Sequence, residues 1–298
     1  MNRIKKTKII IVVSVTILTV IFLIKALLEY YNQIKDSSLS IPVYFFLIVF
    51  IFHLGYFYMR ALSWKSMINF LGESASKERG LSIWFLSEAT RYFPGNIWSF
   101  ASRVYLARQN HLSSNLATLI LPIEIIIVVV TTTLLSSYAI IKNLGTLPVE
   151  SRIFIPIIAF LAISFVLLLF HTRIKQLFKK IFELNLNLNA LTSVIIFQLL
   201  GWSLYSFATI ILVLGFVKVD NYLLLFSTTI LAWLIGYLSF ITPMGLGVRE
   251  GTFVLLMGTE IGINQAIFIA LLSRLILIAA EIINLLFWVI AKRKHISF

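Results

Sequence analysis

The sequence predicts an all-α, polytopic integral membrane protein of about seven or eight transmembrane helices, interrupted by two Pro/Gly-broken, re-entrant segments. Three observations carry this expectation. Of 298 residues, 60% are hydrophobic and 12% are charged, whereas soluble chains carry about 25% charged residues. The mean hydropathy is +0.98. Apolar runs long enough to cross a hydrocarbon core, which takes ~20 residues, recur between short cationic stretches. The net charge of +13 would suggest nucleic acid in a soluble protein. Here the cations separate apolar segments, so they read as topology signals beside anionic lipid, and no nucleic-acid partner is expected.

The elements follow in order. Arg3, Lys5, Lys6 and Lys8 precede an apolar run from Ile9 to Leu28. That run is too long for a signal peptide and lacks a small-residue cleavage site, so it reads as an uncleaved first helix. Further spans are expected at about 41 to 59, 115 to 141, 153 to 171, 190 to 217, 222 to 241 and 264 to 291. Stretches 81 to 108 and 242 to 261 are apolar but broken by Pro, Gly and charges. The cation rule places the N-terminus in the cytoplasm, with Arg60, Lys65, Lys77 and Arg79 on the same side. A re-entrant hairpin at 81 to 108 keeps Arg173, Lys175, Lys179 and Lys180 on that side too. The expected location is the cytoplasmic (plasma) membrane; the parity of the last helices stays open.

The chain has no Cys and four His (His53, His111, His171, His295), none spaced i, i+4 with another. Thiolate chemistry is excluded, and neither a metal centre nor a cofactor is expected. His53 and Pro122 read as a packed histidine and a kink, and Trp64, Trp84, Trp98 and Trp288 as interface anchors.

The informative residues are charges inside apolar segments. Of ten Glu and two Asp, four Glu (Glu88, Glu124, Glu250, Glu281) lie within or at the breaks of apolar stretches, beside Arg91, Arg103, Arg249 and Arg274. An unpaired charge at mid-membrane costs at least ~2.5–3.5 kcal/mol, so these side chains should face a protein interior or a wet cavity. Glu88 and Arg91 can pair locally at i, i+3. Arg274 and Glu281 lie seven residues apart, ~10 Å along a helix, and need partners from another segment or a ligand. Arginine is suited to phosphate, which it binds bidentately.

The two breaks resemble each other. Pro94 and Gly95 precede Arg103, and Pro243, Gly245 and Gly247 precede Arg249; Glu124 lies 30 residues after Pro94, and Arg274 lies 31 after Pro243. The spacing suggests an internal repeat. Helices broken inside a membrane free backbone N–H and C=O groups, which are tolerated where they line a cavity or pack in protein. Paired breaks in two halves point to a transport site between them, while Pro kinks with packing glycines are the structural alternative.

At these breaks the chain resembles the transmembrane region of the lysylphosphatidylglycerol synthase/flippase family. The residues that carry the likeness are Tyr92-Phe-Pro-Gly-Asn-Ile-Trp98 with Arg103 and Glu124, then Thr242-Pro-Met-Gly-Leu-Gly-Val-Arg-Glu-Gly251 with Arg274. The resemblance spans roughly 40 to 290, and the whole chain, 1–298, reads as one transmembrane, flippase-like domain. Two-part members append an aminoacyltransferase; this chain stops at Phe298, so the resemblance implies the lipid-handling half and not an enzyme. It implies a flippase or transporter of the cell envelope, acting on a membrane lipid or isoprenoid-linked lipid headgroup, with envelope-biosynthesis enzymes as protein partners. Arg91, Arg103, Glu124, Gly245, Gly247, Arg249, Glu250, Arg274 and Glu281 are the expected substrate-binding set. The arginines would hold phosphate, the glutamates neutralise them when the site is empty, and the helix start beside Gly245 and Gly247 offer N–H donors. Two alternatives stay open: a non-transporting scaffold or regulator of an envelope pathway, its charges serving as interhelical locks, and an embedded enzyme using Glu124 or Glu250 as a base.

Overall fold

The computed structural model describes residues 43–92, 98–146, 186–239 and 245–292, with five helical positions between 21 and 29. Pro94, Gly95 and Pro243, the span expected at 153 to 171 and the cation cluster from Arg173 to Lys180 lie outside the described residues. Within them the chain is all-helical. In order, the helices are α1 (Val43–Phe70), α2 (Lys77–Glu88) with a 3-10 turn (Ala89–Tyr92), α3 (Trp98–Gln109), α4 (Ser114–Thr146), α5 (Leu188–Leu214), α6 (Tyr222–Leu238), α7 (Val248–Ile261) and α8 (Ile263–Lys292).

Four helices, α1, α4, α5 and α8, are long and apolar enough to cross a membrane. Their outer faces carry stripes of exposed aliphatic residues at helical spacing: Val43, Leu47 and Ile51 on α1, Ile126, Val130 and Leu134 on α4, Ile283, Leu286 and Ile290 on α8. Such stripes would be untenable in water and suit a hydrocarbon surround. By contrast α2 and α3 have 12 residues each and α7 has 14. At 1.5 Å per residue these are ~18–21 Å long, short of the ~30 Å hydrocarbon core.

The helices begin where local chemistry allows. Asn187 caps α5 by accepting from Ala190 N at 3.2 Å, and Asn221 caps α6 by accepting from Leu224 N at 2.9 Å. A single glycine separates α7 from α8: Gly262 has φ +89°, a conformation that costs glycine nothing. α4 runs through Pro122 without ending there.

The α1–α5 pair is the spine of the bundle. It is antiparallel: Arg60 meets Gln198, Ser63 Oγ donates to Val194 O at 3.2 Å, and Asn187 N donates to Phe70 O at 3.0 Å. A Cβ at Gly201 would lie 3.4 Å from Met59 Cβ and 3.6 Å from Tyr56 O, so this glycine lets the two helices close up.

This pairing corrects two expectations. The first apolar span past 40 was expected to end near 59, with Arg60 in a surface loop; instead α1 continues to Phe70 and Arg60 is buried within it. Its polar residues find partners on α5, so the first charge does not end the helix. Trp64 and Trp84, expected at the membrane interface, are 1% and 2% exposed and belong to the core. Trp98 is exposed. His53 is packed as expected, its Nδ1 2.8 Å from Val49 O.

Candidate functional site, a cleft of buried arginines

The short helices α2, α3 and α7 meet α1, α6 and α8 around a cleft of about 780 Å³, including the space at its mouth. Five arginines line it: Arg60 from α1, Arg91 from the turn after α2, Arg103 from α3, Arg249 from α7 and Arg274 from α8. Among the described residues, two carboxylates, Glu88 and Glu124, share the lining. Tyr56, Trp84, Trp233 and Tyr237 complete the wall.

One side of the cleft is closed by ion pairs. Arg103, 2% exposed, gives Nη1 to both oxygens of Glu124 at 2.6 Å, Nε to Ser87 Oγ at 2.9 Å, and Nη2 to Glu88 Oε1. Arg91 bonds Glu88 at 3.0 Å and Glu281 at 2.6 Å. Four elements, α2 with its turn, α3, α4 and α8, are thereby tied by one chain of alternating charge. Thr90 Oγ1 and Ser102 Oγ, 2.9 Å apart, join α2's turn to α3 beside it. All three nitrogens of Arg103 are engaged, as a buried arginine requires if it is to hold structure together.

The other side is different. Arg249 is 7% exposed, has no carboxylate within 4.0 Å among the described residues, and leaves Nη1 without a hydrogen-bond partner. Its Cζ lies 5.1 Å from the centroid of the Tyr205 ring. Arg60 likewise lacks a carboxylate among the described residues; Nη1 donates to the neutral Gln198 amide, and Cζ lies 4.9 Å from the Trp202 ring centroid. The aromatic faces come from one cluster, with Tyr56 ring centroids 5.5 Å from Trp202 and 5.2 Å from Tyr205. A ring face attracts a cation without neutralising it, so these two guanidiniums are held in place with their charge intact. Trp202 and Tyr205 are three apart on α5, which sets the two cations about one turn from each other along that helix.

The structure thus gathers Arg91, Arg103, Glu124, Arg249 and Arg274 on one cleft. Glu250 and Glu281 stand behind it. Glu281 serves Arg91, and Glu250 lies 3.9 Å from Arg274 Nε, so the partners of Arg274 and Glu281 come from other segments, as their spacing required. Gly245 and Gly247 do not line the cleft. Gly247 (φ +80°) starts α7 and donates its N–H to Glu250 Oε2 at 2.8 Å, so this donor is already used within the chain. Gly245 (φ +67°) packs on α6, where a Cβ would fall 2.4 Å from Gly236 O. Gly236 in turn makes room for Arg249, whose Cβ would lie 2.9 Å from a Cβ placed there. Gly236 thus seats Arg249, with Gly245 packed against Gly236.

Sequence reasoning missed Arg60, which it took for a loop cation, and left Glu88 out of the site. It also missed the aromatic seats. The signal for Arg60 was present: it sits amid residues with no turn-forming Gly or Pro between Gly55 and Gly72, so the helix had no reason to stop.

Fold and site together define a multi-pass α-helical membrane protein whose short helices help enclose an arginine-lined cleft. The lysylphosphatidylglycerol synthase TM region family matches residues 8–283, nearly the whole chain, and the protein belongs to that family. No curated protein is similar enough to the chain to stand beside it as a relative.

Proposed function

We propose that this protein is a flippase of the cell envelope that binds the anionic headgroup of a membrane lipid, or of an isoprenoid-linked lipid, in the central cleft. The observation that carries the reading is the pair of buried, ring-seated cations, Arg249 and Arg60, without a carboxylate partner among the described residues. Burying a charge without a counter-ion is costly, and a fold keeps such a group where a ligand supplies the missing charge. Phosphate is the anion whose geometry a guanidinium matches best. Arg274, on the same wall, adds to the positive field. Under this reading the acyl or isoprenoid tail stays in the bilayer while the headgroup crosses between the short helices.

Within the expected binding set the roles divide. Arg249 and Arg274, with Arg60 added, face the headgroup. Arg91, Arg103, Glu124 and Glu281 hold α2, α3, α4 and α8 in register around it, and Glu250, Gly245 and Gly247 position α7. The ion-pair chain on one side also suits the scaffold reading, in which all charges serve as locks. Lipids that co-purify with the wild type and with Arg249→Gln plus Arg274→Gln, compared by mass spectrometry with the source membrane, separate the two. Enrichment of one phosphate-bearing lipid that the double variant loses, together with lost headgroup transfer in reconstituted vesicles, is the expected result. Bulk lipid alone from both folded proteins would leave the scaffold.

A further inference from the structure

A second cavity, of about 970 Å³ and broadly open, lies where α1 ends and α2 and α5 begin. Among the described residues its polar lining is Lys65, Ser66, Asn69, Lys77, Asn187, Asn189 and Ser193, with no carboxylate. Glu73, in the turn after α1, is directed elsewhere and accepts from Ser113 N at 3.2 Å. No ion pair reaches Lys65 or Lys77 among the described residues.

The site is shaped. A Cβ at Gly80 would lie 2.7 Å from Lys65 Cγ, so the glycine on α2 is what lets the lysine stem lie flat against that helix. With its amide oriented by its neighbours, Asn69 accepts from Lys65 Nζ at 2.9 Å, which uses one of the three ammonium donors. Lys77 Nζ is 5.3 Å from the centroid of the Tyr58 ring. The first turns of α2 and α5, whose dipoles favour an anion, both border the cavity.

Its place along the α1–α5 spine matters most. Leu62 and Ser66 on α1, with Ser193 and Phe197 on α5, line this vestibule; Tyr56 and Arg60 line the central cleft. The Arg60–Gln198 bond lies between the two sets in axial order. We infer that the vestibule is a second anion site, which takes the phosphate of an anionic phospholipid headgroup at the membrane surface and stands end to end with the cleft across Arg60. Binding in the vestibule is independent of the flippase reading; passage from it through Arg60 rests on that reading.

The test uses full-length protein in phosphatidylcholine nanodiscs, with and without phosphatidylglycerol, treated with an amine-reactive reagent and read by peptide mapping. Phosphatidylglycerol should slow modification of Lys65 and Lys77 about five-fold or more, the effect of ~1 kcal/mol per surface cation. Exposed Lys218, in the α5–α6 turn, reports the general surface effect. Arg249→Gln should keep the protection, and Lys65→Gln should weaken it at Lys77. Equal rates at Lys65 and Lys77 in both discs, or slowing no greater than at Lys218, would overturn the site. Protection by inorganic phosphate in phosphatidylcholine discs matching that by phosphatidylglycerol would overturn its assignment to a lipid. A failed vestibule leaves the Arg249 transport result untouched, so the two readings fall separately.

Discussion

The α2–α3–α4 region and the α6–α7–α8 region are built from the same parts, yet treat their arginines in opposite ways. Each has a helix, a break, a short helix carrying an arginine and a long helix carrying a charge of the other sign from a partner on the short one. In the first, Arg103 on α3 meets Glu124 on α4 at 2.6 Å, with Ser87 and Glu88 taking its remaining nitrogens. In the second, Glu250 on α7 stands 3.9 Å from Arg274 on α8, and the adjacent Arg249 rests on a ring. The difference teaches that a buried arginine has two separate uses. Saturated with carboxylates it fixes helices; seated on an aromatic face it keeps a charge available.

The comparison can be broken at its strongest point first. Arg103→Gln takes the arginine partner from buried Glu124, while Glu88 keeps Arg91, and should cost about 3–5 kcal/mol, read as a large drop in unfolding midpoint in detergent or loss of folded protein. Wild-type stability in this variant would show that the first region is no lock. Gly245→Ala places a side chain at φ +67° against the Gly236 carbonyl; it should cost about 1–3 kcal/mol and disturb the seat of Arg249, lowering transport with stability. Smaller still, Arg249→Gln removes a buried charge that no carboxylate balances, so stability should change by less than about 1 kcal/mol or rise, while headgroup transfer in vesicles is lost. A destabilisation equal to that of Arg103→Gln would erase the contrast between the regions. The smallest effect belongs to Lys142, whose half-exposed pair with Glu260 at 3.0 Å ties α4 to α7 at the far end. Lys142→Gln should cost no more than about 0.2–1 kcal/mol and leave transport unchanged.

How the sequence read these regions follows from where the information lies. Arg103, Glu124, Arg249 and Arg274 stood out because each lies in an apolar setting where a lone charge is costly, and that cost is a property of the local sequence. Arg60 sat beside Lys65 at the polar end of an apolar run and looked like a loop residue; its burial depends on Gln198, 138 positions away. The tryptophans failed for a related reason. An aromatic ring near a helix end suits the interface or the core equally, and Trp84 went inside because Arg103 and Phe85 pack against it, with Arg103 Cζ 5.7 Å from its ring and Phe85's centroid at 5.1 Å.

By itself, then, the sequence determined that the chain is all-helical and built for a membrane, since hydropathy and helix length act within a stretch of ~20 residues. It also determined which charges must be enclosed. Which arginine is neutralised and which is kept charged was decided only by the tertiary structure. That choice turns on whether a carboxylate or a ring face arrives from another helix, as Glu124 reaches Arg103 at 2.6 Å whereas Arg249 Cζ lies 5.1 Å from the Tyr205 ring centroid, and how the helices pack sets both.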